Sequence, residues 1–255
     1  MTFPISGVTT NVLLPPFISM IISFFTSMGG ISGAFLLLPF QMSVLGYTAP
    51  SVSGTNHVFN IFAIPSGVYR YIREGRMAWP LTWVVIVGTL PGVFIGYYVR
   101  VFWLPDPKEF KLFVGCVLLY IGIRLFKELI GGKKKQSAGA KTLEEKFRAR
   151  AAEIRREQSS KLAAGIPADA VVKTLSVSLR KVDYEFWGER FSFNTLGMFS
   201  LAFVVGIIGG AYGIGGGAII APFCAAFFQL PIYTIAGATL MGTFITSVAG
   251  RCSSV

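Results

Sequence analysis

The chain has 255 residues, of which 53% are hydrophobic, and a mean hydropathy of +0.63. Residues 1–69 and 191–250 contain no Lys, Arg, Asp or Glu, which excludes a water-soluble domain, because such a domain needs a charged surface. The formal net charge of +11 comes mainly from residues 131–190, which hold 14 of the 23 Lys and Arg residues.

The first apolar segment, residues 12–46, is too long for one straight membrane helix. At about 1.5 Å per residue it would be about 52 Å long, whereas the hydrocarbon core of a bilayer is about 30 Å thick. We predict a break at residues 28–33, where the sequence reads Met-Gly-Gly-Ile-Ser-Gly. Glycine permits the break, and Ser32 can hydrogen-bond to the backbone groups that it frees.

Three further spans are predicted before the charged region. They cover residues 51–69, residues 80–99 and residues 110–130. Tryptophans flank the middle span, which is typical of aromatic belts at the two membrane surfaces. Residues 1–130 are therefore predicted to form a first transmembrane repeat of about four spans.

Residues 131–190 form a polar insert of different character. Apolar residues at spacings of three and four between Leu143 and Leu162 predict a helix at a surface. Alternating apolar and polar residues in 172–187 predict a strand or small hairpin. We interpret the insert as a basic, α/β-like cytoplasmic region beside anionic lipid, and not as a nucleic-acid-binding module, because it contains no nucleic-acid-binding motif.

The apolar pattern resumes in residues 191–255, which are predicted to form a second transmembrane repeat. Residues 194–228 predict another broken span, and residues 231–250 predict one more. Val255 aligns with Ile72 of the first repeat, so the second repeat lacks counterparts of the last two spans. We expect the chain to be a fragment, since half a repeat would leave part of a bundle interface facing lipid.

One motif occurs in both halves in a fixed frame. Gly-Ile-Ser-Gly at 30–33 aligns with Gly-Ile-Gly-Gly at 213–216, and Pro-Phe follows at 39–40 and at 222–223. Positions 30–67 hold seven identities in this frame, against about three expected by chance from such a composition. A repeated Gly-rich break in an apolar segment is the signature of transporters whose halves each place a discontinuous helix at a midplane site. The sequence thus predicts an all-α, polytopic membrane helix bundle built from two related halves with broken helices.

The Gly-rich breaks are candidate binding sites for an anion. A helix that begins inside the membrane presents backbone N–H groups and a partial positive charge, which suit an oxyanion. The residues predicted to line this site are Gly29, Gly30, Ser32 and Gly33 in the first half and Gly213, Gly215, Gly216 and Gly217 in the second. The alternative is close helix packing through small residues, although packing alone does not require breaks at matching positions.

Polar residues follow the first break at membrane depth, where they are costly unless they face partners or a cavity. Thr55, Asn56 and Thr239, which aligns with Asn56, are predicted substrate contacts. His57 is the single histidine of the chain. It could titrate near neutral pH and couple proton movement to the anion, or it could be a hydrogen-bonded core histidine.

With these motifs the chain resembles the TauE/SafE-like sulfite exporter family, also called toluenesulfonate uptake permeases. The resemblance is carried by the Gly-rich segment and Pro-Phe of each half, by Ser53-Gly54-Thr55-Asn56 and Ala236-Gly237-Ala238-Thr239, and by the layout of the spans. It covers roughly residues 15–130 and 194–250. It implies a cytoplasmic-membrane transporter for sulfite, an organosulfonate or a related small anion, driven by an ion gradient. The long insert departs from the family pattern.

Two other classes of protein fit the sequence less well. An integral-membrane enzyme would need a nucleophile, an acid/base pair or a metal cluster, and the uncharged runs offer a single His and no carboxylate. No enzyme activity, cofactor or metal is therefore predicted. A membrane anchor or assembly subunit, with the insert as its working part, is the alternative, although an anchor does not need repeated breaks.

Charge also predicts the topology. Five basic residues between Lys127 and Lys141 lie near the end of a span, so the N-terminus and the insert are predicted to be cytoplasmic. Four spans in each half would make the repeats parallel, whereas a re-entrant first segment would change this. The predicted partners are a small anion, the bilayer and a coupling proton or sodium ion; the oligomeric state is not predicted.

Overall fold

A computed structural model describes residues 2–3, 7–28, 32–47, 51–130, 145–146, 149 and 171–253. Gly29 and Gly30 of the predicted site lie outside these residues, as does most of the predicted surface helix of the insert.

The described part of the chain is mostly helical, which confirms the predicted class. The helices are α1 (Leu14–Met28), α2 (Ala34–Ser43), α3 (Ser51–Arg73), α4 (Trp79–Phe102), α5 (Pro107–Ile130), α6 (Thr195–Tyr212), α7 (Ile220–Phe228) and α8 (Ile232–Ser253), with a 3-10 turn, Gly216–Ile219, before α7. The strands are β1 (Thr2–Phe3), β2 (Val8–Thr9), β3 (Val172–Val177), β4 (Lys181–Phe186) and β5 (Glu189–Asn194). Within the described residues, α4, α6 and α8 are long and apolar enough to cross a membrane.

Helices α4 and α6 run parallel and pack through small residues. Small residues recur every four positions on both facing surfaces, at Gly88, Gly92 and Gly96 of α4 and at Ala202, Gly206 and Gly210 of α6. A Cβ atom added to Gly206 would lie only 2.7 Å from the carbonyl oxygen of Thr89. The backbones therefore touch, as in the small-residue interfaces of membrane helices. This interface was not predicted from the sequence.

Helix α7 returns alongside α6, so the two form a helical hairpin. A Cβ atom on Gly197, near the start of α6, would lie 3.5 Å from the ring of Phe228 at the end of α7. One turn further inward, the Cys224 Sγ lies 3.5 Å from the Met198 Sδ. The two helices are therefore antiparallel.

The hairpin reverses at residues 213–215, which we call the hairpin tip. Gly213 ends α6 in the left-handed conformation with φ of 79°, and Gly215 has φ of 88°; glycine adopts such angles without strain. The single discontinuous span predicted for residues 194–228 is thus corrected to two antiparallel segments. The sequence prediction was wrong here because the same glycines permit either an interruption or a reversal.

Helices α3 and α8 pack antiparallel along much of their length. Early residues of α3 meet late residues of α8, in the pairs Gly54–Arg251, His57–Gly250, Asn60–Ser247 and Gly67–Leu240. The predicted repeat aligns these two helices, so their directions are opposite to the parallel arrangement expected from four spans per half. If the first segment of each half entered and left the membrane on the same side, the two halves would be inverted and α3 and α8 would be antiparallel.

Positions that the predicted repeat aligns make similar contacts. In the frame that aligns Gly33 with Gly216, Ser23 of α1 aligns with Gly206 of α6. A Cβ atom on Gly33 would lie 2.8 Å from the Ser23 Oγ, and one on Gly216 would lie 3.1 Å from the Gly206 Cα. The same frame aligns His57 with Leu240 and Gly67 with Gly250. It therefore converts the His57–Gly250 pair into the Gly67–Leu240 pair. Two units related by a two-fold axis make such reciprocal contacts; the internal repeat itself stays a prediction.

The insert ends in an antiparallel sheet with strand order β3-β4-β5. The predicted strands are present, and β5 extends the sheet beyond the predicted hairpin. The aromatic side chains on one face are buried, namely Tyr184, Phe186, Phe191 and Phe193. The Val172 N–H donates to the Gly75 carbonyl at 2.9 Å, so the sheet covers the end of the bundle where α3 ends. We call this end the insert side and the opposite end the far side.

The sheet is also joined to α8 by a buried hydroxyl pair. The Tyr184 Oη lies 2.9 Å from the Thr234 Oγ1, and neither residue is more than 1% exposed. In a double-mutant cycle with Tyr184→Phe and Thr234→Val we expect a coupling energy of about 0.5–1.5 kcal/mol, the range of a net hydrogen bond. Thermal unfolding of the detergent-purified variants measures it. Purely additive effects would show that this bond does not anchor the sheet.

Candidate functional site

Asn60 of α3 links the two Gly-rich segments. Its Nδ2 donates to the Ile214 carbonyl of the hairpin tip at 2.9 Å and to the Ser247 Oγ of α8 at 3.1 Å. Its Oδ1 accepts a hydrogen bond from the Ser32 Oγ. Asn60, Ile214 and Ser247 are fully buried. The structure therefore brings Ser32 and the hairpin tip, which lie far apart in sequence, to the same side chain.

Helix α2 begins beside this network. The Ser32 Oγ accepts a hydrogen bond from the Ala34 N–H at 3.3 Å, at the first residue of the helix. The Tyr212 Oη donates to the Phe35 carbonyl at 3.3 Å, and their rings stack with centroids 6.0 Å apart. The N-terminal end of α2 is thus held against the end of α6, close to the hairpin tip.

The predicted glycines near the hairpin tip are in tight packing contacts. A Cβ atom on Gly216 would lie 2.8 Å from the Thr89 Cβ, and one on Gly217 would lie 2.5 Å from the Thr239 carbonyl oxygen. Gly213 packs against Ser53, and Gly215 faces Thr246. The packing role considered from the sequence therefore applies at these positions. A larger residue there would disturb the bundle whether or not an anion binds.

The other predicted contacts are divided between the interior and the outer surface. Thr55 is exposed, and its Oγ1 donates to the Ser51 carbonyl at 3.2 Å, so it is not brought to Asn60. Thr239 is buried and its Oγ1 donates to the Ala236 carbonyl within α8. His57 is buried against Gly250, and its Nδ1 has no hydrogen-bond partner among the described residues.

Asn56 is the predicted site residue with the most unused hydrogen-bonding capacity. It is 0% exposed, yet neither its Nδ2 nor its Oδ1 has a partner in the described part of the chain. A buried polar group without a partner costs about 1–3 kcal/mol, and native folds contain few of them. A residue that carries two such groups is therefore a candidate for binding something else.

Asn56 lies in a polar stripe on α3. Ser53 lies one turn before it, and Asn60 lies one turn after it, on the same helix face. Ser53 packs against Gly213, and its buried Oγ also lacks a partner in the described residues. Asn60 contacts Ile214. The stripe therefore runs along the hairpin tip, with the unpaired amide of Asn56 at its centre.

The far side of this stripe carries positive charge. Arg251, near the end of α8, places its Nη1 3.2 Å from where a Cβ atom on Gly54 would lie, and it interacts electrostatically with His57. Neither α3 nor α8 contains Asp or Glu. A positive field at the mouth of a polar site favours anions over cations. Arg251 was missed from the sequence because it lies near the end of the chain, outside the repeated motif.

A polytopic helical bundle in which a Gly-rich hairpin tip meets buried polar groups that lack partners among the described residues has the architecture of a membrane transporter. The chain belongs to the sulfite exporter TauE/SafE family, whose family model matches residues 16–254. It is similar to the probable membrane transporter protein YunE of Bacillus subtilis (strain 168), with 22% identity over 237 residues that cover 89% of this chain and 72% of that protein. No solved structure gives a significant match.

The family match confirms the resemblance predicted from the sequence and the class of membrane transporter. It gives no support to the alternative of a membrane anchor or assembly subunit. The matched range includes the hairpin tip, Asn56 and the insert.

Proposed function

We propose that the protein moves a small anion, namely sulfite, an organosulfonate or a related sulfur oxyanion, across the cytoplasmic membrane. The observation that carries this proposal is the buried amide of Asn56 beside the hairpin tip, which has no hydrogen-bond partner among the described residues. The positive charge of Arg251 at the far side and the absence of acidic residues from α3 and α8 support an anionic substrate.

The donors in the polar stripe match the chemistry of an oxyanion. The Asn56 Nδ2 carries two N–H donors and the Ser53 Oγ carries one O–H donor, whereas sulfite and sulfonate oxygens accept hydrogen bonds. The Asn56 Oδ1 is an acceptor and suits the hydroxyl of a singly protonated anion or the amino group of a taurine-like sulfonate. The affinity is expected to be moderate, because no cationic side chain contacts the anion directly at this stripe. Moderate affinity allows the anion to be released after transport.

The hairpin tip is the proposed moving element. Its Ile214 carbonyl accepts from Asn60, which also bonds Ser247 and Ser32, so a displacement of the tip must break this network. Segments of irregular backbone that line polar sites inside a membrane are the elements that transporters use for alternating access. The antiparallel directions of α3 and α8 support two inverted halves that rock about the site.

The insert is proposed to lie on the cytoplasmic side. The support is the basic stretch between Lys127 and Lys141, since basic residues near span ends favour the cytoplasmic side. The hydrogen bond from the Val172 N–H to the Gly75 carbonyl supports an Arg70–Arg76 loop on the same side as the insert. The N-terminus, which four spans would put on the same side, is instead proposed to lie on the far side, because a re-entrant first segment begins and ends on the side where α3 begins.

His57 is proposed to couple transport to a proton gradient. It is buried beside Asn56 in the chain and near the charge of Arg251. His57→Gln, which keeps the size of the side chain but cannot titrate, is expected to bind the anion with unchanged affinity and to lose accumulation against its gradient. Uptake into proteoliposomes with and without a pH gradient measures this. Accumulation equal to that of the wild-type protein would assign His57 to the core and leave a sodium ion as the coupling candidate.

The experiment that tests the proposed function is direct binding. Detergent-purified protein is titrated with sodium sulfite, thiosulfate, sulfate and taurine at constant chloride, and the heat of binding is measured. We expect saturable binding of at least one of the sulfur anions. Absence of binding by all four would contradict the assignment of an anion site.

A further inference from the structure

Arg100 is a buried arginine at the far-side end of α4. Only 4% of the surface of this residue is exposed. The Nη1 donates to the Leu104 carbonyl, and the guanidinium carbon lies 3.7 Å from the centroid of the Phe110 ring. The Nε and Nη2 are also buried, but they have no hydrogen-bond partner within the described residues.

A structural role explains only part of this arrangement. The bond to the Leu104 carbonyl and the stacking on the Phe110 ring hold the turn between α4 and α5. These contacts use one N–H group and one face of the guanidinium. These contacts explain neither the edge of the guanidinium that carries Nε and Nη2 nor its positive charge. In the described part of the chain Arg100 makes no ion pair, and a buried charge without a counter-ion is costly.

The position of Arg100 relates it to the hairpin tip. Gly96, one turn earlier in α4, faces Gly210 and Ala211 of α6. Because α4 and α6 run parallel, the next turn of α4 is level with the residues that follow Ala211, which form the tip. Arg100 therefore lies at the same depth as the tip, toward the far side of the bundle. Arg251 also contributes positive charge on that side.

We infer that Arg100 is a second anion-binding group, which takes the oxyanion on the far side of the hairpin tip before it reaches Asn56 or after it leaves. The Nε–H and Nη2–H groups of an arginine lie on the same edge of the guanidinium plane and bind two oxygens of one oxyanion side by side. The two donors that lack partners within the described ranges are this pair. The inference rests on the proposed anion transport and extends it with a named residue and a binding mode.

The test compares the affinity of purified variants for sulfite and thiosulfate. Arg100→Met removes the charge and the donor pair, and Arg100→Lys keeps the charge but not the pair. Arg73→Met, at the exposed insert-side end of α3, is the matched control. We expect Arg100→Met to weaken binding about tenfold or more, Arg100→Lys to weaken it less, and the control to bind as the wild-type protein does.

The outcomes separate the two proposals. Binding by the wild-type protein together with unchanged affinity in Arg100→Met overturns the inference and leaves the Asn56 site standing. If Arg100→Met does not accumulate as a folded protein, Arg100→Lys decides, because it can still donate to Leu104. Affinity of Arg100→Lys equal to the wild-type value then overturns the bidentate assignment. Failure of the wild-type protein to bind any tested anion refutes the proposed function and the inference together.

Discussion

Asn56→Leu is expected to abolish anion transport while leaving the folded bundle at least as stable as the wild-type protein. The wild-type side chain has two buried groups without partners in the described residues, so an apolar side chain of similar size relieves a cost and loses no resting hydrogen bond. The bound anion, in contrast, loses hydrogen bonds worth about 1.5–3 kcal/mol each, a loss of affinity of about tenfold or more. Anion titration and thermal unfolding of the same preparation measure the two effects.

Asn60→Leu is the matched control, one turn along the same helix. Asn60 has the same side chain and the same complete burial, but it makes three hydrogen bonds, to Ser32, Ile214 and Ser247. Its replacement leaves those buried groups unpaired and is expected to cost about 3 kcal/mol or more of stability. Equal destabilisation by both variants would mean that Asn56 is a structural residue.

Gly92→Leu is expected to prevent assembly of the bundle. A Cβ atom at this position would meet the Phe203 carbonyl oxygen and would lie 2.9 Å from the Ile207 backbone nitrogen and 3.0 Å from the Gly206 carbonyl carbon. These contacts are with backbone atoms, which cannot move aside without separating α4 from α6. Overpacking of a well-packed core costs about 1–3 kcal/mol or more. We expect a large loss of monodisperse, detergent-extractable protein.

Gly115→Leu is the control for this effect. Gly115 lies on α5, is exposed, and has nothing within 4 Å of an added Cβ atom. Leucine has the higher helix propensity, so this variant is expected to accumulate at the wild-type level. Membrane abundance and size-exclusion profiles compare the two variants. Normal abundance of Gly92→Leu would contradict the close packing of α4 on α6.

The membrane class and the segments that form the candidate site could be predicted from the sequence. Long runs without charge have no other stable environment than a bilayer. The repeated glycines identified the segment around Gly213, because a Gly-rich interruption in an apolar run is rare unless the backbone must bend there. Asn56 was identified by its depth in an apolar span, where a polar side chain needs a reason to be present.

The direction of the chain after Gly213 could not be predicted. A positive φ angle at glycine shows that the helix ends, but whether the chain then continues or returns depends on packing between Gly197 and Phe228, which are distant in sequence. The same limit explains the missed roles of Arg100 and of the α4 glycines. Their significance lies in which helix they face, and one sequence does not contain that information.

The measurement that tests the account most directly is flux of labelled sulfite and thiosulfate into proteoliposomes that contain wild-type protein, Asn56→Leu or protein-free lipid. All protein samples are matched for amount and for thermal stability. We predict saturable uptake by the wild-type protein and uptake by Asn56→Leu that is close to the protein-free level. Uptake by Asn56→Leu equal to that of the wild-type protein would contradict the claim that the unpaired amide at the hairpin tip binds the transported anion.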